Sequence, residues 1–270
     1  MTHKKIAKAA IGVVLGLFAL LAIFPFVYML TTSLRQTYSM DLSFNISEFN
    51  LKNYVTVFKN FEFFKYFKNS IIVVVCACTL NCLISSLAAY GFAKKNFAHK
   101  DLLFTVYLAT QMIPSQVILV PMTRIMRALH LSNTYPALFL PIINAFGVFL
   151  IKQFMESLPD DLLEAARIDG CSELGIFFKI VIPLIKPVLI SLTVFTFITS
   201  WNDFVWPLIS ITNQNMNTLT LALSSLQGNY ATNYGLVMAG ATLTFLPPFL
   251  LYIFLQKQFV EGIALSGIKG

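Results

Sequence analysis

Apolar residues run along this chain in long blocks, with polar residues gathered in short segments between them. Six blocks approach about 20 residues, the length a helix needs to cross a hydrocarbon layer. They are roughly Ile11–Thr32, Asn69–Tyr90, Leu102–Met122, Tyr135–Phe154, Val188–Pro207 and Leu236–Leu255. None shows the strict alternation of a membrane-spanning barrel strand. The pattern predicts an all-α integral membrane protein of six transmembrane helices in one domain, 1–270. Lys4, Lys5 and Lys8 precede the first block as they would in a signal peptide. That apolar run continues from Ile6 to about Leu34 without a small-residue cleavage site, so it is read as a retained first span. The connection Arg35 to Lys68 is longer and aromatic. Its Phe61, Phe63, Phe64, Tyr66 and Phe67 predict an interfacial helix on the outer surface.

Composition supports the membrane reading. Hydrophobic residues make up 57% of the chain, charged residues only 11%, and mean hydropathy is +0.75; a soluble chain carries about 25% charged residues. The net charge of +7 then reports topology rather than a nucleic-acid partner. With the N-terminus in the cytoplasm, 12 of the 19 Lys and Arg residues fall inside and 7 outside. Both termini, the Lys94–Asp101 loop and the 156–187 loop then face the cytoplasm. Arg124 and Arg127 are left outside, against the trend. The spans carry almost no ionisable group apart from Asp203 near one end, which argues against an ion relay within the lipid. Cys76, Cys78 and Cys82 lie in an apolar run without histidines at ligand spacing, so no metal site is expected.

The 156–187 loop has its own local logic. Pro159 can open a helix, Asp160, Asp161 and Glu164 favour its positive end, and Gly170 can stop it in a left-handed conformation. Leu162, Leu163 and Ala166 are expected on one face with Ile168 beside it, and Ala165 and Ala166 permit close approach of another surface. Ser172 can cap a second helix leading towards Pro183 and Pro187. A compact docking helix is predicted.

The spacing Glu164-Ala165-Ala166, Gly170, Ile180, Pro183 resembles the signature loop of permease subunits of ATP-binding-cassette (ABC) importers, with Ile182 where that family more often has Leu. Phe24-Pro25-Phe26, Asn53-Tyr54, Ala89-Tyr90-Gly91-Phe92-Ala93, Met112-Ile113-Pro114, Trp201-Asn202-Asp203 and Gly267-Ile268-Lys269-Gly270 resemble the carbohydrate branch, in particular the smaller permease of maltose-type systems. The resemblance implies a type I ABC importer permease fold with a cytoplasmic coupling helix, in the cell membrane of a bacterium. It implies a heterodimer with a second permease, two ABC ATPase subunits below, and an extracellular or periplasmic sugar-binding protein above. ATP and magnesium would bind the ATPases, leaving this chain without a cofactor. Glu164, Ala165, Ala166, Asp169, Gly170, Ile180 and Pro183 would carry coupling to an ATPase, and Gly267, Lys269 and Gly270 would belong to a tail reaching the same subunits. The asparagine- and threonine-rich stretch Thr212 to Tyr234 would face the binding protein.

Polar residues within the spans are candidates for lining a sugar path: Asn81, Gln111, Asn144, Trp201, Asn202 and Asp203, with Gln116, Thr196, Thr199, Trp206 and Tyr90 beside them. Each can equally serve helix-to-helix hydrogen bonding or an interfacial belt. The chain lacks a G-x-x-x-x-G-K-[ST] phosphate loop, and His3, His99 and His130 stand apart from any nucleophile or acid. Catalysis by this chain is not expected. The competing reading is an ion-coupled secondary transporter of small polar solutes, which the sparsely charged spans and the Glu164 loop disfavour.

Overall fold

The computed structural model describes residues 2–41, 43–226 and 232–267. Its helices are, in chain order, α1 (Thr2–Ser33), α2 (Lys52–Asn60), α3 (Phe63–Lys94), α4 (Lys100–Ala109), α5 (Ser115–Ala128), α6 (Tyr135–Phe139) and α7 (Ala145–Glu156). There follow α8 (Asp161–Ile168), α9 (Glu173–Ile176), α10 (Ile182–Leu184), α11 (Lys186–Trp201), α12 (Val205–Ser210), α13 (Leu219–Leu223) and α14 (Tyr234–Gly267). No strand occurs among the described residues, as the apolar pattern predicts.

Three helical stretches are long and apolar enough to cross a membrane unbroken: Ala10–Ser33, Phe63–Lys94 and Tyr234–Gln256. Three bent pairs pass the same test when each is taken as one span. The run read as Leu102–Met122 is such a pair, turning by 104° between Lys100–Met112 and Ser115–Ala128. The cause is Pro114, whose ring disfavours helical geometry at the residue before it; Ile113 is extended at φ −80°, ψ 118°. A 45° bend separates Tyr135–Ile142 from Ala145–Glu156, where Asn144 is extended and caps α7. The third pair, Glu173–Leu184 and Lys186–Trp201, turns by 77° at Ile185, beside Pro183 and Pro187. Helix α14 contains Pro247 and Pro248. Phe63 to Phe67 do not form a separate interfacial helix; they begin α3 directly after Glu62, which has φ 52°.

The chain forms two compact units. The first comprises Met1–Phe64 and Ala222–Leu246. Its polar centre follows α1. The Arg35 side chain, 8% exposed, donates through Nε to Glu48 at 2.9 Å and through a terminal nitrogen to the Ser43 carbonyl at 3.3 Å. Asn53 donates to the carbonyls of Ser33 at 2.9 Å and Arg35 at 2.7 Å, satisfying backbone groups past the helix end. Gly235 is required here, because a Cβ would lie 1.9 Å from the Arg35 carbonyl oxygen.

The second unit comprises Lys65–Leu221 and Pro247–Gly270. Its main core gathers Ala89 and Tyr90 of α3, Val148, Ile151 and Met155 of α7, Leu163 and Ala166 of α8, Ile176 and Phe177, and Val188 and Leu192 of α11. At Gly147 a Cβ would come within 2.5 Å of Ser85 Oγ, so α7 lies close against α3 there. The loop of interest is thus seated on the end of this core.

Candidate functional site

The loop between α7 and α11 is built by local capping and fastened by long-range ionic contacts. Helix α8 starts at Asp161, two residues after Pro159, with Asp160 as its cap residue. Asp160 offers no side-chain cap; it accepts from Lys94 Nζ at 2.7 Å, and the same ammonium donates to the Leu158 carbonyl at 2.6 Å. The Lys94 side chain is 5% exposed, and its proximity lowers the Asp160 pKa. At the other end Gly170 adopts φ 81°. Its N–H donates to Arg167 O, and that of Cys171 donates to Ala166 O, the paired bonds of a Schellman stop. Ser172 Oγ accepts from the Gly175 N–H at 3.2 Å and caps α9. The chain then enters a π turn, Phe177–Val181, before α10.

Glu173 fastens the loop. Its carboxylate accepts from Tyr90 Oη at 2.8 Å and Arg167 Nε at 3.0 Å, and pairs with Lys95 Nζ at 2.5 Å. These donors, Lys95 foremost, pull its pKa down to about 2. The Arg167 guanidinium, bonded to Glu173, is correspondingly raised. In the sequence Glu173 stands only as a residue of the second helix. A basic pair closing one span and acids in a loop assigned to the same side were the available signal for these contacts.

The apolar residues of α8 do not share one face. Leu163 and Ala166 are buried in the core, whereas Leu162 and Ile168 are exposed, Ile168 by 86%. The reason is register: positions three apart stack on a helix, adjacent ones diverge. Leu162, Ala165 and Ile168 therefore form an outward stripe, with Leu174 and Phe178 also exposed beyond the turn. Glu164 and Asp169 are exposed, and their carboxylates make no hydrogen bond or ion pair with the described residues. Ile180 is half-buried against the core, and Pro183 is exposed at the start of α10.

The span candidates separate into two groups. A cavity of about 460 Å³ brings together Asn144, Asp203, Gln116, Thr199 and Trp206. Asp203 accepts from the Trp206 N–H at 3.3 Å and faces no described cation; no Lys, Arg or His lines the cavity. Trp206 Nε1 donates to the Ala137 carbonyl at 2.8 Å, which fixes the indole in the wall. The remaining candidates lie outside it. Asn81 is buried and donates to Thr196 Oγ1 across α3 and α11 at 2.9 Å. Gln111, its amide oxygen turned towards α7, accepts from the N–H groups of Ala145 and Phe146 at 2.9 Å. Trp201 is buried, stacked on Phe197 with ring centroids 5.6 Å apart. Asn202 is exposed and donates to the Ile198 carbonyl at 3.0 Å. Gly267 ends α14, while Lys269 and Gly270 lie outside the described residues.

Residues 81–264 match the family model for the binding-protein-dependent transport system inner membrane component. The Arabinooligosaccharides transport system permease protein AraQ of Halalkalibacterium halodurans is 35% identical, the match covering 93% of each chain. The Lactose transport system permease protein LacG of Rhizobium radiobacter is 35% identical over 95% of this chain and 94% of its own. Among solved structures, a bacterial ABC transporter involved in the import of the acidic polysaccharide alginate has a chain matching with a TM-score of 0.83 at 23% identity. That match covers 96% of this chain and 98% of the other, and is a likeness of fold.

Proposed function

The chain belongs to the binding-protein-dependent transport system inner membrane component family, and on that premise we propose that it forms half of the membrane pathway of an ATP-driven oligosaccharide importer. A second permease completes the pathway, two ABC ATPases bind at the cytoplasmic face, and an external binding protein delivers the sugar. Relatives named for arabinooligosaccharides and lactose support the substrate class.

The observation that carries this reading is the tethered loop. Helix α8 is anchored by Lys94, Lys95 and Tyr90 through Asp160 and Glu173, while Leu162, Ala165, Ile168 and the uncommitted Glu164 face outward. A load applied to that stripe passes through short charge-assisted contacts to the end of α3, and through the shared apolar core to α11, rather than dissipating in a slack loop. ATPase closure and reopening would drive the permease between its two facing states. The Asn144–Asp203 cavity offers amide, hydroxyl and carboxylate groups beside an indole, a set suited to sugar hydroxyls and ring faces. The tail containing Gly267, Lys269 and Gly270 is assigned to the ATPase side, and both termini to the cytoplasm.

The test is recovery of ATPase subunits with a tagged chain, together with sugar uptake. Glu164→Lys is expected to lose both while the chain still reaches the membrane. Proton-driven uptake by the purified chain alone, with no ATPase present, would overturn the proposal.

A further inference from the structure

A second, smaller cavity of about 180 Å³ lies between the end of α5, the loop after it, and the exit of α12. Its polar wall consists of Thr123, Arg127, Ser132, Asn133, Ser210 and Thr212, with no acidic residue. Arg127 is exposed and pairs with no described carboxylate. Ser210 is 9% exposed, and its buried hydroxyl has no hydrogen-bond partner among the described residues. A buried hydroxyl left unmatched is a costly feature, and one that a ligand oxygen would relieve.

The frame of the niche is preformed, and a shift of the Ser210 side chain bares its hydroxyl to a ligand. Asn133, at φ 58°, accepts through Oδ1 from the N–H groups of Thr212 at 2.8 Å and Asn213 at 2.9 Å. Its amide donates to Thr212 Oγ1 at 3.0 Å. Two separate chain segments are thereby held together without engaging Arg127 or Ser210. The same elements expose Ile125, Leu129 and Leu208, so a cationic, hydroxyl-bearing niche sits on an apolar flank.

We propose that this cavity binds a phosphate oxyanion, with the Arg127 guanidinium pairing with its charge and the Ser210 hydroxyl donating to another of its oxygens. A planar guanidinium offers two parallel N–H donors to phosphate, which an ammonium does not. Inorganic phosphate and the headgroup of an anionic lipid share this chemistry; the exposed apolar flank favours the lipid. A bound phosphate also accounts for a basic residue standing on the less basic side of the span pattern.

The transporter, purified whole through a tag on this chain and stripped of lipid, would be titrated with phosphatidylglycerol or phosphatidylcholine and bound lipid counted by native mass spectrometry. Arg127→Gln is expected to weaken phosphatidylglycerol retention about tenfold and Ser210→Ala about threefold, with phosphatidylcholine unchanged. Arg124→Gln, on the same helix but outside the cavity, serves as the neutral comparison. Displacement of the lipid by inorganic phosphate, or phosphate binding that needs Arg127 without lipid retention, supports the oxyanion site and distinguishes its source. Equal phosphatidylglycerol retention by the unaltered chain, Arg127→Gln and Ser210→Ala, with no Arg127-dependent phosphate binding, overturns it. Lipid and phosphate binding are read independently of uptake, so neither result depends on the importer proposal.

Discussion

Glu173 concentrates three donors on one carboxylate, and two of them come from α3 and the residue after it, Tyr90 lying 83 residues earlier in the chain. That pairing was not legible in the sequence, because it depends on which span ends meet; the local devices Gly170 and Ser172 were legible, because capping is read within four residues. The Glu173 pKa of about 2 lies below its ordinary value of 4.5. Its contribution to holding the loop is therefore full above pH 4.5 and lost as pH falls towards 2. The protection factor of the α8 amides, taken against their intrinsic rates at each pH, should fall across that interval, and Glu173→Gln should abolish the fall and leave the loop less protected at neutral pH. A Cβ added at Gly170 would meet nothing within 4 Å, so the effect of Gly170→Ala comes from φ 81° alone. It should destabilise the loop by about 1–2 kcal/mol, with Gly170→Asn milder, as measured by exchange or proteolysis at Cys171.

At the scale of elements, the apolar blocks located the spans but not their breaks. Hydropathy is blind to a bend whose flanks are equally apolar; Pro114 marked one, whereas Asn144 reads as a polar residue in a span until its extended backbone is seen. The face of α8 departs from expectation for a related reason: Leu162 and Leu163 are adjacent, and only packing decides which turns inward. This yields a paired prediction. Leu163→Ala, at a residue 2% exposed, should destabilise the chain by about 2–5 kcal/mol. Ile168→Ser, at a residue 86% exposed, should leave stability within about 0.5 kcal/mol yet sharply reduce ATPase recovery. If Ile168→Ser retains full recovery, the outward stripe is not the docking surface.

For the whole molecule, the all-helical class was legible because a bilayer admits few alternatives: backbone groups must be satisfied within each segment. The division into two units was not, since both draw on residues distant in sequence. Sidedness is testable on the native chain. Cys171 is exposed, whereas Cys78 is buried and Cys76 and Cys82 are partly covered. A membrane-impermeant maleimide should label Cys171 in inverted vesicles washed free of peripheral proteins, and not in intact cells. The π turn at Phe177–Val181 has a consequence on this larger scale. Such a turn houses one residue more than an α-helix of the same span, and each α-helical residue advances the chain by about 100°. Deleting a single residue there would rewind the segment to ordinary pitch and swivel α8 by roughly that angle relative to α11. A chain shortened by one such residue would keep its spans and its fold class but turn the outward stripe of α8 to another side, like a key cut correctly and then turned in the bow.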